Sequence, residues 1–119
     1  MKENIILNKT FAFGLRILKL YLYLRKNKVD IGLCSQLLNS GTSIGANLEE
    51  ARGGESRRDF ISKCSISLKE ARESLFRLRV ADRCQLGPNG KATALAKEAK
   101  ELAAIIGAIV RNARRNLAL

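Results

Sequence analysis

Residues 40–75 decide the fold of this chain, and they read SGTSIGANLEEARGGESRRDFISKCSISLKEARESL. An uncharged segment rich in small residues leads through Gly53 and Gly54 into a strongly amphipathic helical pattern. The 18 residues 31–48 carry no charge at all. Their serines, glycines and amides make them too polar for a lipid span, so we expect this segment to be buried against other helices.

The spacing of apolar residues predicts four helices. The first covers residues 5–26, the second residues 31–52, the third begins at Ser56 with its apolar face ending at Leu78, and the fourth covers residues 92–116. Turns are expected near residues 28–30, 53–55 and 87–90. The predicted fold is all-α, an antiparallel up-and-down four-helix bundle that forms a single domain over residues 1–119.

The first helix is apolar around an unusually large part of its surface. At about 100° per residue its apolar side chains, from Ile6 to Leu24, occupy an arc of about 220°. A helix in one bundle needs an apolar stripe only a little over about 100° wide. The excess predicts a second contact, which we interpret as self-association.

The start of the third helix carries a capping pattern. Ser56 is placed to cap the helix, and Asp59 lies three residues later, where its side chain can bond back. Gly53 and Gly54 are placed to end the second helix.

The charge of the chain favours polyanionic partners. It has 22 Lys and Arg against 11 Asp and Glu, which gives a net charge of +11 and a pI near 10.2. Nucleic acid, an anionic membrane and an acidic protein are all attracted by such a field. The candidate binding residues form one basic strip on each of two helices: Lys9, Arg16, Lys19 and Lys26 with Tyr23 on the first, and Arg58, Lys69, Arg72, Arg79 and Arg83 beside Phe76 on the third.

The sequence offers little catalytic chemistry. It contains no histidine, so Ser-His and Cys-His pairs are excluded. Glu49, Glu50 and Glu55 could cluster around a metal, but the arginines beside them favour ion pairing. We therefore predict no catalytic residue, no metal site, no cofactor and no enzymatic activity. Three unpatterned cysteines and no recognisable signal peptide favour a cytoplasmic location.

Several segments together resemble a known family. They are residues 11–24 (FAFGLRILKLYLYL), the SGTSIGAN element at residues 40–47 followed by Glu50, the start at Ser56 and Asp59, and residues 65–74 (SISLKEARES). In this order they resemble the four-helix bundle proteins encoded within intervening sequences of bacterial 23S ribosomal RNA genes. The chain is also similar to the accessory variability determinant of diversity-generating retroelements. It departs from the family pattern after Leu78.

The resemblance implies a bundle that assembles into a homopentamer. The retroelement protein binds nucleic acid and a reverse transcriptase. Residues that match family signature positions include Ser43, Asn47 and Glu50. They are either ligand contacts or structural residues, and we favour packing for Ser43, satisfaction of buried polar groups for Asn47 and an ion pair for Glu50.

Two functional hypotheses follow. The first is a non-enzymatic oligomer that binds structured nucleic acid, expected to be RNA, through its phosphates. The second is a scaffold that recruits an acidic protein partner such as a reverse transcriptase. Membrane adsorption is disfavoured because the core needs the apolar arc of the first helix.

Overall fold

A computed structural model describes the backbone of residues 2–118 and the side chains within residues 5–117. Within this range the chain forms four helices and no strand. The helices are α1 (Lys2–Lys26), α2 (Ile31–Arg52), α3 (Arg57–Arg83) and α4 (Lys91–Ala118).

The helices form a bundle measuring 51 × 24 × 21 Å. Helix α2 packs between α1 and α3, and α4 packs mainly on α3 and less closely on α1. In the part of the chain that the structure describes, no Cα atom of α1 lies within 8 Å of a Cα atom of α3, so these two helices occupy diagonally opposite corners. The predicted all-α four-helix bundle is confirmed.

Helices α1 and α4 extend beyond the bounds predicted from the sequence, α4 by one residue at its start and two at its end. Helix α1 begins at Lys2, three residues before the predicted start at residue 5. Helix α3 runs to Arg83, which agrees with the placement of Arg79 and Arg83 on the third helix. Leu78 and Ala81 are both buried and keep its last turns packed on the core. The Leu86 amide then donates to the Ala81 carbonyl at 2.9 Å, which closes the end of α3.

Side chains cap the starts of two helices. The Asp30 carboxylate accepts a hydrogen bond from the Leu33 amide at 3.1 Å at the start of α2. The Ser56 hydroxyl accepts one from the Asp59 amide at 3.0 Å at the start of α3. Each bond satisfies an amide that has no partner inside its own helix.

The core is aliphatic, with one aromatic ring at its centre. Phe13, Ile17 and Leu24 of α1 are fully buried with Leu95, Leu102 and Ile106 of α4. The apolar residues Leu95, Ala99, Leu102 and Ile106 of α4 follow one another at spacings of four, three and four, and all are buried. After Ile106 the series continues at the buried Val110, whereas Ile109 is only half-buried, because seven residues of an α-helix turn about 20° less than two full turns.

Glycines let α2 approach α1 closely. A Cβ atom built on Gly41 would lie 2.7 Å from Cγ2 and 2.8 Å from Cγ1 of Ile17. One turn further, a Cβ on Gly45 would lie 3.2 Å from Oγ1 of Thr10. The Thr10 hydroxyl donates to the Ile6 carbonyl at 2.9 Å, so it is satisfied although buried. The small residues of the SGTSIGAN element therefore fix the α1–α2 distance.

Buried hydroxyls join α2 to α3. The Ser67 hydroxyl donates to the Ile44 carbonyl at 2.7 Å, and the Ser74 hydroxyl donates to the Ser40 hydroxyl at 3.1 Å. Ser40 in turn donates to the Leu37 carbonyl at 3.3 Å. Among the described side chains no buried nitrogen or oxygen lacks a partner. These bonds hold α3 in one register along α2.

We predict that Gly41→Ala lowers the free energy of unfolding by about 1–3 kcal/mol. The added methyl group meets the two branches of Ile17, which is fully buried and has no space to move into. The loss should exceed the roughly 1 kcal/mol that alanine contributes through helix propensity. Urea denaturation followed by far-ultraviolet circular dichroism, at one fixed protein concentration, measures the change.

Gly14→Ala is the matched control. Gly14 also lies inside a helix, but its nearest neighbours are Thr42 atoms at 3.9 Å, an ordinary contact distance. This variant should be unchanged or more stable by up to about 1 kcal/mol. Equal stability changes in the two variants would contradict the close α1–α2 contact.

Candidate nucleic-acid interface

One outward face of α3 carries a continuous basic strip. We call it the α3 strip, and its residues follow one another at alternating spacings of four and three: Arg58, Ser62, Ser65, Lys69, Arg72, Phe76, Arg79 and Arg83. This alternation keeps them on one side of the helix. All but Ser65 are exposed. Arg58 and Arg83 are 25 residues apart, so the strip is about 37 Å long.

The cations of the α3 strip are not neutralised by nearby acids. Among the described residues, none of its Lys and Arg side chains forms an ion pair. Glu73 pairs with Arg77 at 3.5 Å and Asp82 accepts a hydrogen bond from Thr93. The half-buried Glu70 follows Lys69 directly and forms no ion pair with it. All five cations of the strip are therefore free of ion pairs among the described residues, although the Glu70 carboxyl offsets part of the charge of Lys69.

Helix α4 adds a further cation beside the strip. A groove of about 730 Å³ between α3 and α4 has a polar lining of Arg58, Ser62, Ser65 and Lys69 on one side and Arg114 on the other, and an apolar lining of Ile61, Ile66 and Leu117. The Arg114 guanidinium donates to the Ser65 hydroxyl at 3.3 Å. Three cations and two hydroxyls here converge on one surface, which is the chemistry that phosphate oxygens need.

Arg114 is not among the binding residues predicted from the sequence, although its position in α4 indicates that it faces α3. It lies four residues after Val110 and seven after Gly107. Gly107 lies close to Leu68 of α3, and both Gly107 and Val110 are buried. Helical spacing from these two positions places Arg114 on the α3 side.

The basic residues predicted on α1 have a different setting. Arg16 pairs with Glu98 of α4, and Lys9 lines a cleft of about 330 Å³ that also contains Glu98 and Glu101. Lys19 and Lys26 are exposed, as is Tyr23. Because α1 and α3 occupy opposite corners, one chain does not bring the α1 cations and the α3 strip together.

The outer side of α1 toward α2 is apolar. We call it the α1–α2 face, and its α1 residues are Phe11, Leu15, Leu18 and Leu22, with exposed fractions of 65%, 48%, 40% and 57%. They follow the spacing four, three, four, which places them in one stripe. A cavity of about 370 Å³ beside the stripe is closed on the other side by Leu38, Thr42 and Ala46 of α2.

The signature residues of α2 make contacts within the chain. The Asn47 side chain donates to the Ser43 carbonyl one turn earlier at 2.8 Å and is half-buried. The exposed Glu50 carboxylate lies 3.9 Å from the Lys63 ammonium of α3. Asp59, besides its bonded amide, places a carboxylate oxygen 2.7 Å from where a Cβ on Gly54 would lie, so Gly54 leaves space for it.

Reactive groups are sparse in the part of the chain that the structure describes. No group of three His, Cys, Asp or Glu residues is placed to hold a metal ion there. Cys34 and Cys64 are buried, and Cys84 is exposed. Burial raises the pKa of the Cys64 thiol to about 11 and also raises the pKa of the Cys34 thiol. Both therefore stay protonated and weakly nucleophilic near neutral pH.

One carboxyl group of α3 is also perturbed. Partial burial, and then the neighbouring Glu73 charge, raise the pKa of Glu70 above its usual value, while Lys69 and Arg77 oppose this. No helix within residues 2–118 is long and apolar enough to cross a bilayer.

Fold and surface together define a class of protein, a basic all-α four-helix bundle with a cationic face and an apolar face on opposite corners. The chain belongs to the family described as 23S rRNA-intervening sequence protein, whose model matches residues 2–108. This confirms the resemblance drawn from the sequence.

A solved structure supports the same assignment. The chain is 35% identical, with a TM-score of 0.86, to the crystal structure of a protein of unknown function from the S23 ribosomal protein family of Bacteroides thetaiotaomicron. The match covers 93% of this chain and 99% of that one. No curated protein matches the chain.

We predict that a thiol reagent modifies one cysteine per native chain at neutral pH and three after unfolding. Cys84 is exposed, whereas Cys34 and Cys64 are buried with raised pKa values. Because the folded chain holds the neutral thiols, ionisation of these two groups favours unfolding. The measurement is the mass of the labelled protein.

Cys84→Ser supplies the control, since it should leave the native protein unlabelled and reduce the unfolded count to two. Raising the pH to about 9 should still leave Cys64 unmodified, because burial raises the pKa of its thiol to about 11. Rapid modification of two or three thiols in the native protein would contradict the buried positions.

Proposed function

We propose that this protein is a non-enzymatic oligomer that binds structured RNA through backbone phosphates. The observation that carries the proposal is the α3 strip, whose cations are exposed and unpaired among the described residues. Arg and Lys at helical spacing can follow a phosphate backbone, and binding releases condensed counterions. Phosphate contacts position a nucleic acid without reading its bases, so we expect tolerance of sequence.

The α1–α2 face is proposed to be covered by a second copy of the chain. Four large apolar side chains in one stripe are exposed there, and residues 31–48 of the adjoining helix carry no charge. A second copy can bury most of this face without desolvating an ion, since Glu49 is the one charged residue among the described residues that line its cavity. Closed cyclic symmetry would do so on every subunit. The count of five rests on the family resemblance.

Self-association and RNA binding use different corners of the bundle. The α1–α2 face lies opposite the α3 strip, so covering one leaves the other free. A ring would repeat the strip once per subunit and make a larger basic surface. We also propose a cytoplasmic location, because three free cysteines suit a reducing compartment.

An acidic protein partner is the second candidate. Carboxylates accept hydrogen bonds from guanidinium groups as phosphates do. The similarity to the retroelement accessory protein supports a role in recruiting a protein partner. RNA is favoured because the cations continue for about 37 Å along one helix, and Arg114 extends them across the α3–α4 groove.

We predict that the triple variant Arg72→Gln, Arg79→Gln, Arg83→Gln binds RNA more weakly and with a flatter salt dependence. Each phosphate contact contributes about 0.7–0.9 to the slope of log K against log salt. Losing three contacts should reduce the slope by about 2 to 3. Fluorescence anisotropy with a labelled RNA hairpin, at several salt concentrations, gives both quantities.

A triple variant of Lys9, Lys19 and Lys26 to Gln is charge-matched to it and alters the opposite corner. The bundle is 21–24 Å across, whereas the Debye length is about 8 Å at physiological salt. This variant should therefore lose much less affinity. Equal losses would show a diffuse charge effect, and no binding by the parent protein at low salt would overturn the RNA proposal.

We predict that Leu15→Glu with Leu22→Glu converts the protein to monomers of 13.1 kDa. Both side chains are exposed in the single chain, so the variant should keep its helical circular dichroism. Light scattering at micromolar concentration measures the mass. Ile66→Glu, which alters an exposed apolar side chain of α3, should leave the oligomer intact. A monomeric parent protein would refute self-association.

A further inference from the structure

Phe76 is the one aromatic residue of the α3 strip, and its ring lies largely in water. Its exposed fraction is 64%, and it lies in a recess of about 310 Å³ lined by Lys69, Arg72, Glu73 and Arg77. On its own face the next residues one turn away are Arg72 and Arg79. The ring is thus an exposed apolar plane with Arg72 and Arg79 one turn to either side along the strip. Glu73, which pairs with Arg77, also lines the recess, and Val80 is exposed one turn further on.

The setting of Phe76 differs from that of the equally exposed Phe11. Phe11 has leucines one turn and two turns away, which continue an apolar surface suited to another protein surface. Phe76 has guanidinium groups there instead. A protein surface that covered Phe76 would have to remove water from Arg72 and Arg79, which is costly without paired acids.

A nucleotide can contact both the exposed ring of Phe76 and the cations beside it. Its base offers a flat face for the ring, and its phosphates offer charge for the flanking cations. The faces of paired bases are hidden inside a duplex, whereas bases in loops, bulges and ends are open to aromatic side chains. Stacking on Phe76 therefore requires an unpaired nucleotide.

We infer that the α3 strip selects unpaired RNA segments, with one base stacked on Phe76 and the adjacent phosphates held by Arg72 and Arg79. The inference rests on the proposed function and narrows it, from structured RNA in general to the single-stranded loops or ends of such RNA. Phosphate contacts alone would not distinguish paired from unpaired RNA. Stacking on the ring of Phe76 distinguishes them, because only an unpaired base offers its face.

The chain contains no tryptophan, so Phe76→Trp creates a single fluorescent reporter at the stacking position. We expect a single-stranded uridine–cytidine oligonucleotide to quench this fluorescence. A dumbbell duplex RNA with covalently closed ends should bind through its phosphates with little quenching. Tyr23→Trp places the reporter on an exposed site of α1 at the opposite corner and should show no quenching with either RNA.

A second variant tests affinity. Phe76→Leu keeps an apolar side chain but removes the ring, and it should weaken binding of the single-stranded oligonucleotide about 5- to 100-fold. Affinity for the dumbbell duplex and the salt slope should stay unchanged, because the phosphate contacts remain. Phe76→Tyr should retain most of the affinity for the single strand.

The outcomes separate this inference from the proposed function. Salt-dependent binding of both RNAs with unchanged single-strand affinity in Phe76→Leu would overturn the stacking inference and leave the RNA proposal standing. Equal quenching of the Phe76→Trp variant by the duplex and by the single strand would also overturn it. Failure of the parent protein to bind either RNA at low salt would overturn both.

Discussion

The contact of Gly41 with Ile17 is the constraint on which the rest of the bundle depends. A methyl group at Gly41 would lie within 2.8 Å of two Ile17 carbons, so the α2 backbone rests directly on an α1 side chain. The side of α2 that faces α3 also carries a small residue, Ser40. The Ser74 hydroxyl of α3 donates to the Ser40 hydroxyl at 3.1 Å. Helix α2 therefore acts as a narrow spacer that fixes both neighbours. Since interiors are close-packed, a larger residue at either contact has no space to occupy.

This spacer determines which surfaces face outward. It contributes no charge within residues 31–48, so the seams that it forms contain hydroxyls and aliphatic groups. Ion pairs lie instead at the margins, where Arg16 meets Glu98 and Lys63 meets Glu50. Exposed pairs of this kind contribute only about 0–1 kcal/mol each. Packing against α2 thus sets the orientation of α1 and α3. That orientation determines where their charged side chains lie.

The sequence was sufficient to predict the helices, but some details depend on tertiary contacts. Apolar periodicity located all four helices and the uncharged interior segment. It did not identify Ser67 and Ser74 as buried, because a hydroxyl looks polar until its partner on α2 is known. The setting of some surface residues also depends on tertiary contacts. The α3 strip follows from spacing within one helix, whereas the contribution of Arg114 and the pairing of Arg16 depend on how α4 lies against its neighbours.

Separation of the two faces has a consequence for binding strength. A subunit covered on its α1–α2 face still presents the whole α3 strip, so each copy in an assembly would offer an independent RNA contact. An RNA that reaches two strips binds the second one intramolecularly, at an effective concentration set by the connecting nucleotides. One strip with a single stacking position can therefore be weak by itself and still hold a looped RNA firmly. Single-stranded connections between contacts favour this arrangement, because they bend where a duplex resists bending.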